Sequence, residues 1–125
     1  MKKKKILIIE DDKSLVRIIE NALDEKKFKI YLTISCEEGI EKAKMEKPDL
    51  IVLDVLLPGK SGFECLKALK EEKTTKKIPV IMLSNLGQSE EIRKCIELGA
   101  IGYMVKADFT IDEVIDKINK AINKK

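Results

Sequence analysis

The sequence contains no histidine and no tryptophan, and aromatic residues make up 4% of its 125 positions. Without imidazole there is no Ser-His-Asp triad, no histidine general base and no histidine metal cluster. The chain cannot phosphorylate itself on histidine either. Any metal it holds must be bound through oxygen, which favours Mg2+ or Ca2+. Scarce aromatics remove the stacking platforms that nucleic-acid binders combine with clustered positive charge. The net charge of +3 comes from 25 basic and 22 acidic residues that are mostly interspersed. Lysines at 2–5 and in the tail 117–125 read as solvated faces, so no direct nucleic-acid binding is expected. No apolar run nears the roughly 20 residues of a membrane span, and neither membrane insertion nor secretion is expected. Three cysteines, Cys36, Cys65 and Cys95, are odd in number and lack CxxC spacing. They read as inert free thiols of a reducing, cytoplasmic setting.

What the sequence does have is an alternation sustained from end to end, in a composition that is 44% hydrophobic and 38% charged. Ile6–Ile9 is a continuous apolar run. Over Lys13–Lys26, Leu15, Ile18, Ile19, Ala22 and Leu23 recur at helical spacing. Phe28–Ile34 alternates as a second strand, with Phe28, Ile30, Leu32 and Ile34 between more polar neighbours. Ser35 and Glu38 form a capping box for a second helix. Leu50–Leu53 is a third strand closed by Asp54. Ser61 and Glu64 cap a third helix to about Glu72. Pro79–Leu83 is a fourth strand, Glu90–Leu98 a fourth helix ended by Gly99, and Ile101–Val105 a fifth strand. Thr110 and Glu113 open a last helix reaching about Ile122. Five strand-helix units with apolar strands predict an α/β fold, a parallel sheet covered by helices on both faces. One domain over 1–125, with its core at about 5–122, accounts for the chain.

Right-handed crossovers open every strand's carboxyl end on the same edge of such a sheet, where ligands bind. Strand one ends in Glu10-Asp11-Asp12, strand three in Asp54, strand four in Ser84 and strand five in Lys106. If strands one and three are neighbours, their acids converge and repel, and a divalent cation or a lysine must offset this. A few oxygen ligands with open positions for water suit Mg2+ better than a full Ca2+ cage. Asp54 is then a candidate nucleophile on phosphorus, with Lys106 and Ser84 placed for the phosphoryl oxygens. No glycine-rich Lys-Ser/Thr loop is present, so the phosphoryl donor must come from elsewhere. Asp12 reads as a plain helix cap.

The stretches Ile6–Asp12, Leu53–Pro58 with Gly62, Met82-Leu83-Ser84, Gly99-Ala100 and Tyr103–Lys106 together resemble a receiver domain of two-component response regulators, of the stand-alone chemotaxis-regulator kind. The resemblance runs from Lys5 to about Ile122. It implies the strand order 2-1-3-4-5 of a doubly wound, flavodoxin-like fold. It also implies that Asp54 accepts a phosphoryl group from a histidine kinase or histidine phosphotransfer protein, with Mg2+ as cofactor. Mg2+ would be held by Asp11, Asp54, the Leu56 carbonyl and, through water, Glu10. Ser84 and Tyr103 would be the switch pair, and Lys106 would contact the phosphoryl group. The output would be a population shift in the face formed by the fourth helix, fifth strand and fifth helix, which regulates an unknown downstream protein. On this reading the chain is a monomer or a weak dimer through that face. It is not an enzyme beyond accepting and losing its own phosphoryl group.

Two positions depart from the family pattern. Ala107 stands where proline usually follows the lysine. Asn85 stands where a very small residue is preferred and would narrow access to the phosphate. Leu56 and Leu86 would flank the acceptor and hinder the hydrolytic water. Competing functions are a Mg2+-dependent phosphohydrolase of the haloacid dehalogenase type, a degenerate receiver used only for protein binding, and the excised regulatory half of a DNA-binding regulator. The first wants a second aspartate where Leu56 stands.

Overall fold

The computed structural model describes residues 3–84, 89–106 and 110–123. The chain alternates β1 (Lys4–Ile9), α1 (Lys13–Ala22), β2 (Phe28–Thr33), α2 (Cys36–Glu46), β3 (Leu50–Asp54), α3 (Gly62–Glu71), β4 (Val80–Ser84), α4 (Ser89–Glu97), β5 (Gly102–Val105) and α5 (Ile111–Asn123). All four strand pairings are parallel and give the order β2-β1-β3-β4-β5. This is the doubly wound architecture expected from the sequence. No helix among the described residues is long and apolar enough to cross a membrane.

Successive side chains of a strand point to opposite sheet faces, and the core divides accordingly. Leu7, Ile9, Ile51, Leu53, Val80 and Met82 pack with residues of α2, α3 and α4. Their neighbours Ile6, Ile8, Leu50, Val52, Ile81 and Leu83 pack with α1 and α5. Every residue of β3 and β4 is buried, the mark of central strands covered on both sides. In α2, Gly39 allows the helix to lie directly on the sheet, because a Cβ there would sit 2.4 Å from Ile9 Cδ1.

Local chemistry sets the helix ends. Ser61 and Glu64 form a reciprocal capping box at α3, and Thr110 and Glu113 exchange the same bonds before α5. Beyond α4, Gly99 takes φ +108°, and Ala100 N donates to Cys95 O while Gly99 N donates to Ile96 O, both at 3.0 Å. That is a Schellman closure, which needs the left-handed backbone glycine supplies.

Two elements differ from the sequence reading. α1 ends at Ala22 rather than Lys26. Leu23 turns extended, and Asp24 gathers the next amides, its carboxylate accepting from Lys26 N and its carbonyl from Lys27 N and Phe28 N, each at 2.9 Å. A carboxylate competing for backbone donors stops a helix whose apolar periodicity would continue. β2 is an edge strand paired only with β1. The alternation that placed Leu32 and Ile34 inward fails there, since they are 44% and 55% exposed.

Candidate functional site

The parallel register brings four strand ends together. Ile9 stands opposite Leu53, Asp54 opposite Leu83, and Ser84 opposite Val105. Glu10, Asp54, Ser84 and Lys106 therefore share one edge of the sheet. Backbone bonds extend the ladder past the strands: Val55 N donates to Leu83 O at 2.9 Å and Lys106 N to Ser84 O at 2.6 Å. Neighbouring strands thus aim the side chains, on both sides for β1, β3 and β4 and on one side for the edge strand β5.

Lys106 reaches across the edge and is central to the electrostatics. Its Nζ lies 2.8 Å from Glu10 Oε1 and 3.2 Å from Asp54 Oδ2, with 14%, 0% and 4% of the three side chains exposed. Glu10 is held from its other oxygen by Asp12 N, 3.0 Å from Oε2. Burial pushes the Glu10 carboxyl up to about 7; Lys106 and the Asp12 amide pull the other way, while Asp54 adds repulsion. Burial alone would lower the Lys106 ammonium, but Glu10 and Asp54 more than offset it, and its pKa is raised.

Asp11 is exposed beside this buried pair. One oxygen each of Glu10, Asp11 and Asp54 can be drawn within 4.8 Å of one another. Glu10 Oε1 is buried, with the Lys106 ammonium beside it at 2.8 Å. Three carboxyl groups stand against one ammonium, so the cluster offers more acidic oxygens than Lys106 pairs with. The donor set is all oxygen and few in number, so the residues fit a small hard cation such as Mg2+. Asp12 caps α1, its Oδ1 accepting from Ser14 N and Leu15 N at 3.0 and 3.2 Å.

Asp54 is 3% exposed. Its Oδ1 accepts from Leu56 N at 3.3 Å, which fixes the loop that follows. Leu56 itself is 63% exposed. Asn85, Leu86 and Ala107 lie outside the described residues.

Ser84 is buried, and its Oγ donates to Glu91 Oε1 at 2.7 Å. Tyr103, half-buried on β5, donates its hydroxyl to the same Oε1. Burial and the Glu91 carboxylate raise the Tyr103 pKa, with a bond to Ser84 opposing them. Sequence reasoning named Ser84 and Tyr103 but missed Glu91. Its only signal was a place in the first turn of α4, which it shares with Glu90. The cysteines are fully buried. Burial raises the thiol pKa of each, that of Cys95 to about 11. They carry no thiolate for chemistry.

Comparison with known proteins gives a consistent picture. Residues 6–119 match the family described as response regulator receiver domain. The alkaline phosphatase synthesis transcriptional regulatory protein PhoP of Bacillus subtilis is 40% identical over 105 residues, covering 82% of this chain and 42% of that protein. The cell cycle response regulator CtrA of Brucella ovis is 36% identical over 120 residues, covering 96% of this chain and 50% of that protein. The chain therefore spans half or less of the length of these relatives. A response regulator of Chloroflexus aurantiacus, known from its crystal structure, superposes with a TM-score of 0.90 at 27% identity, covering 98% of this chain and 100% of that one.

Proposed function

Since the chain belongs to the response regulator receiver domain family, we propose that it is a phosphorylation-controlled signalling switch and not an enzyme with a diffusing substrate. The observation that carries this reading is Lys106, placed between two buried carboxylates, Glu10 and Asp54, at the carboxyl edge of the sheet. A lysine there sets positive charge against the buried acidic pair and offers a cation to an incoming phosphoryl oxygen.

In the step we propose, an Asp54 carboxylate oxygen attacks phosphorus on a phosphohistidine of a histidine kinase or phosphotransfer protein. A P–O bond forms as the P–N bond breaks, and the imidazole leaves with the electron pair and takes up a proton. Lys106 pairs with one phosphoryl oxygen and Ser84 donates its hydroxyl to another. Asp11, Asp54, the Leu56 carbonyl and, through water, Glu10 would hold Mg2+, which would supply positive charge to offset that of the phosphoryl group. Movement of Ser84 and Tyr103 would then bias the face built by α4, β5 and α5 towards a downstream partner, or towards a second copy in a weak dimer. Such a module works in the cytoplasm, where the kinase domains that would supply it reside.

A second reading has one observation behind it: the relatives are at least twice as long as the stretch they share with this chain, and one is named a transcriptional regulatory protein. Under it, the receiver unit would govern an attached DNA-binding segment through the same face.

The test is intact mass after incubation with acetyl phosphate, with and without Mg2+, on wild type and Asp54→Asn. One added phosphoryl group that requires Mg2+ and vanishes in Asp54→Asn is the expected result. No mass change in the wild type with any donor would sink the reading and leave a receiver fold used for binding alone.

A further inference from the structure

Ser84, Tyr103 and Glu91 come from three different elements, β4, β5 and α4, and meet at a single atom. Ser84 Oγ donates to Glu91 Oε1 at 2.7 Å, and the Tyr103 hydroxyl donates to that same oxygen. Ser84 is 2% exposed, so its bond to a carboxylate is made away from bulk water, where charge-assisted hydrogen bonds are strongest.

A serine hydroxyl has one proton. It cannot donate to Glu91 and to a phosphoryl oxygen on Asp54 at the same time. The tyrosine hydroxyl has the same restriction, so in these bonds a proton of each group is directed at Glu91 Oε1. We propose that Glu91 is a positioning residue that latches Ser84 and Tyr103 in the unphosphorylated arrangement, and that phosphorylation proceeds against this latch. The inference rests on the reading of Asp54 as phosphoacceptor. It adds to it a residue that sets how readily the switch turns, through competition for the Ser84 proton.

The latch also specifies how the site speaks to the surface. Glu91 lies in the first turn of α4. Drawing Ser84 away removes a bond that ties that turn to the end of β4. The Tyr103 bond to Glu91 then remains, so capture of Ser84 weakens the hold on the start of α4. A ligand that takes the Ser84 proton therefore shifts the population by the free energy of the bond it displaces.

The experiment titrates beryllofluoride, an acyl-phosphate mimic, with Mg2+ into the full chain carrying 13C-tyrosine, and follows acetyl phosphate uptake by intact mass in parallel. Variants are Glu91→Ala, Glu91→Gln and, as control, Glu90→Gln. The control removes one charge from the same helix turn without touching either hydroxyl. Glu91→Ala is expected to bind beryllofluoride roughly tenfold more tightly, the low end for a hydrogen bond to a charged group. Glu91→Gln keeps the size and an acceptor oxygen, so about threefold is expected, and it preserves the test if the alanine variant folds poorly. Both should shift the Tyr103 ring signal before any fluoride is added, and Glu90→Gln should match wild type throughout. Unchanged affinity in Glu91→Gln and Glu91→Ala would overturn the latch while leaving the acceptor reading intact, as would an equal gain in Glu90→Gln, which would mean charge alone is responsible. A wild type that takes up neither beryllofluoride nor phosphoryl overturns the acceptor reading itself, and the latch with it.

Discussion

Gly62 and Asp54 meet backbone to backbone: a Cβ on Gly62 would lie 2.2 Å from the Asp54 carbonyl oxygen. The Gly62 amide also donates to Val55 O at 2.6 Å, tying the start of α3 to the end of β3. Gly62→Ala must push the two apart. The expected cost is about 3 kcal/mol, as for other overpacked sites. Because the displaced atoms belong to the acceptor's own peptide, acetyl phosphate uptake at 10 °C, by variant that circular dichroism shows to be folded, should fall more than tenfold. Uptake at the wild-type rate would show that Asp54 tolerates the shift.

A pH dependence follows from Glu10. Its carboxyl is raised from 4.5 to about 7 by burial, so between those values the folded state binds more protons than the unfolded state. Stability contributed by this group is then full at low pH and falls as pH rises through that window. In chelator, Glu10→Gln, which mimics the neutral acid, should be more stable than wild type by about 2 kcal/mol at pH 8 and level with it near pH 4.5. Thermal melts of both proteins across that range check it. Added Mg2+ should narrow the gap at pH 8 by stabilising the wild type more than the variant.

Lys106→Met removes the cation 2.8 Å from Glu10 and 3.2 Å from Asp54 while keeping the apolar stem. Two buried carboxylates then face each other uncompensated, at a cost of about 3 kcal/mol near pH 8. Glu10 takes up a proton as pH falls, so the loss should shrink by pH 5. Denaturant midpoints at the two values distinguish this from a packing defect, which would show the same loss at both.

Gly99→Ala tests the closure of α4. At φ +108° an L-residue is strained, and the new Cβ would press on the Lys70 stem at 3.2 Å. A loss of about 2 kcal/mol is expected, with phosphoryl uptake little changed because the site lies at the opposite edge of the sheet. Calorimetry and the mass assay together read both.

Much of this architecture was legible because it is written in local chemistry. Continuous apolar runs marked β3 and β4, where both faces are covered, and Ser61 with Glu64 announced α3 through a bond closed within four residues. The failures have equally specific causes. Asp24 ended α1 by a competition that periodicity does not register, and Leu32 and Ile34 sit on an edge strand that one side of the sheet leaves bare.

The candidate site divides the same way. Which residues end the strands was readable in the order of the chain, since a strand's carboxyl end is a local property. That Glu10, Asp54, Ser84 and Lys106 face one another depends on strand order and register, which set residues up to 96 positions apart side by side; the resemblance supplied that order and the structure shows it. The raised carboxyl of Glu10 and the junction at Glu91 belong to tertiary structure alone. Burial and a shared hydrogen-bond acceptor are properties of assembled surroundings, and no spacing along a single helix distinguishes Glu91 from Glu90 beside it.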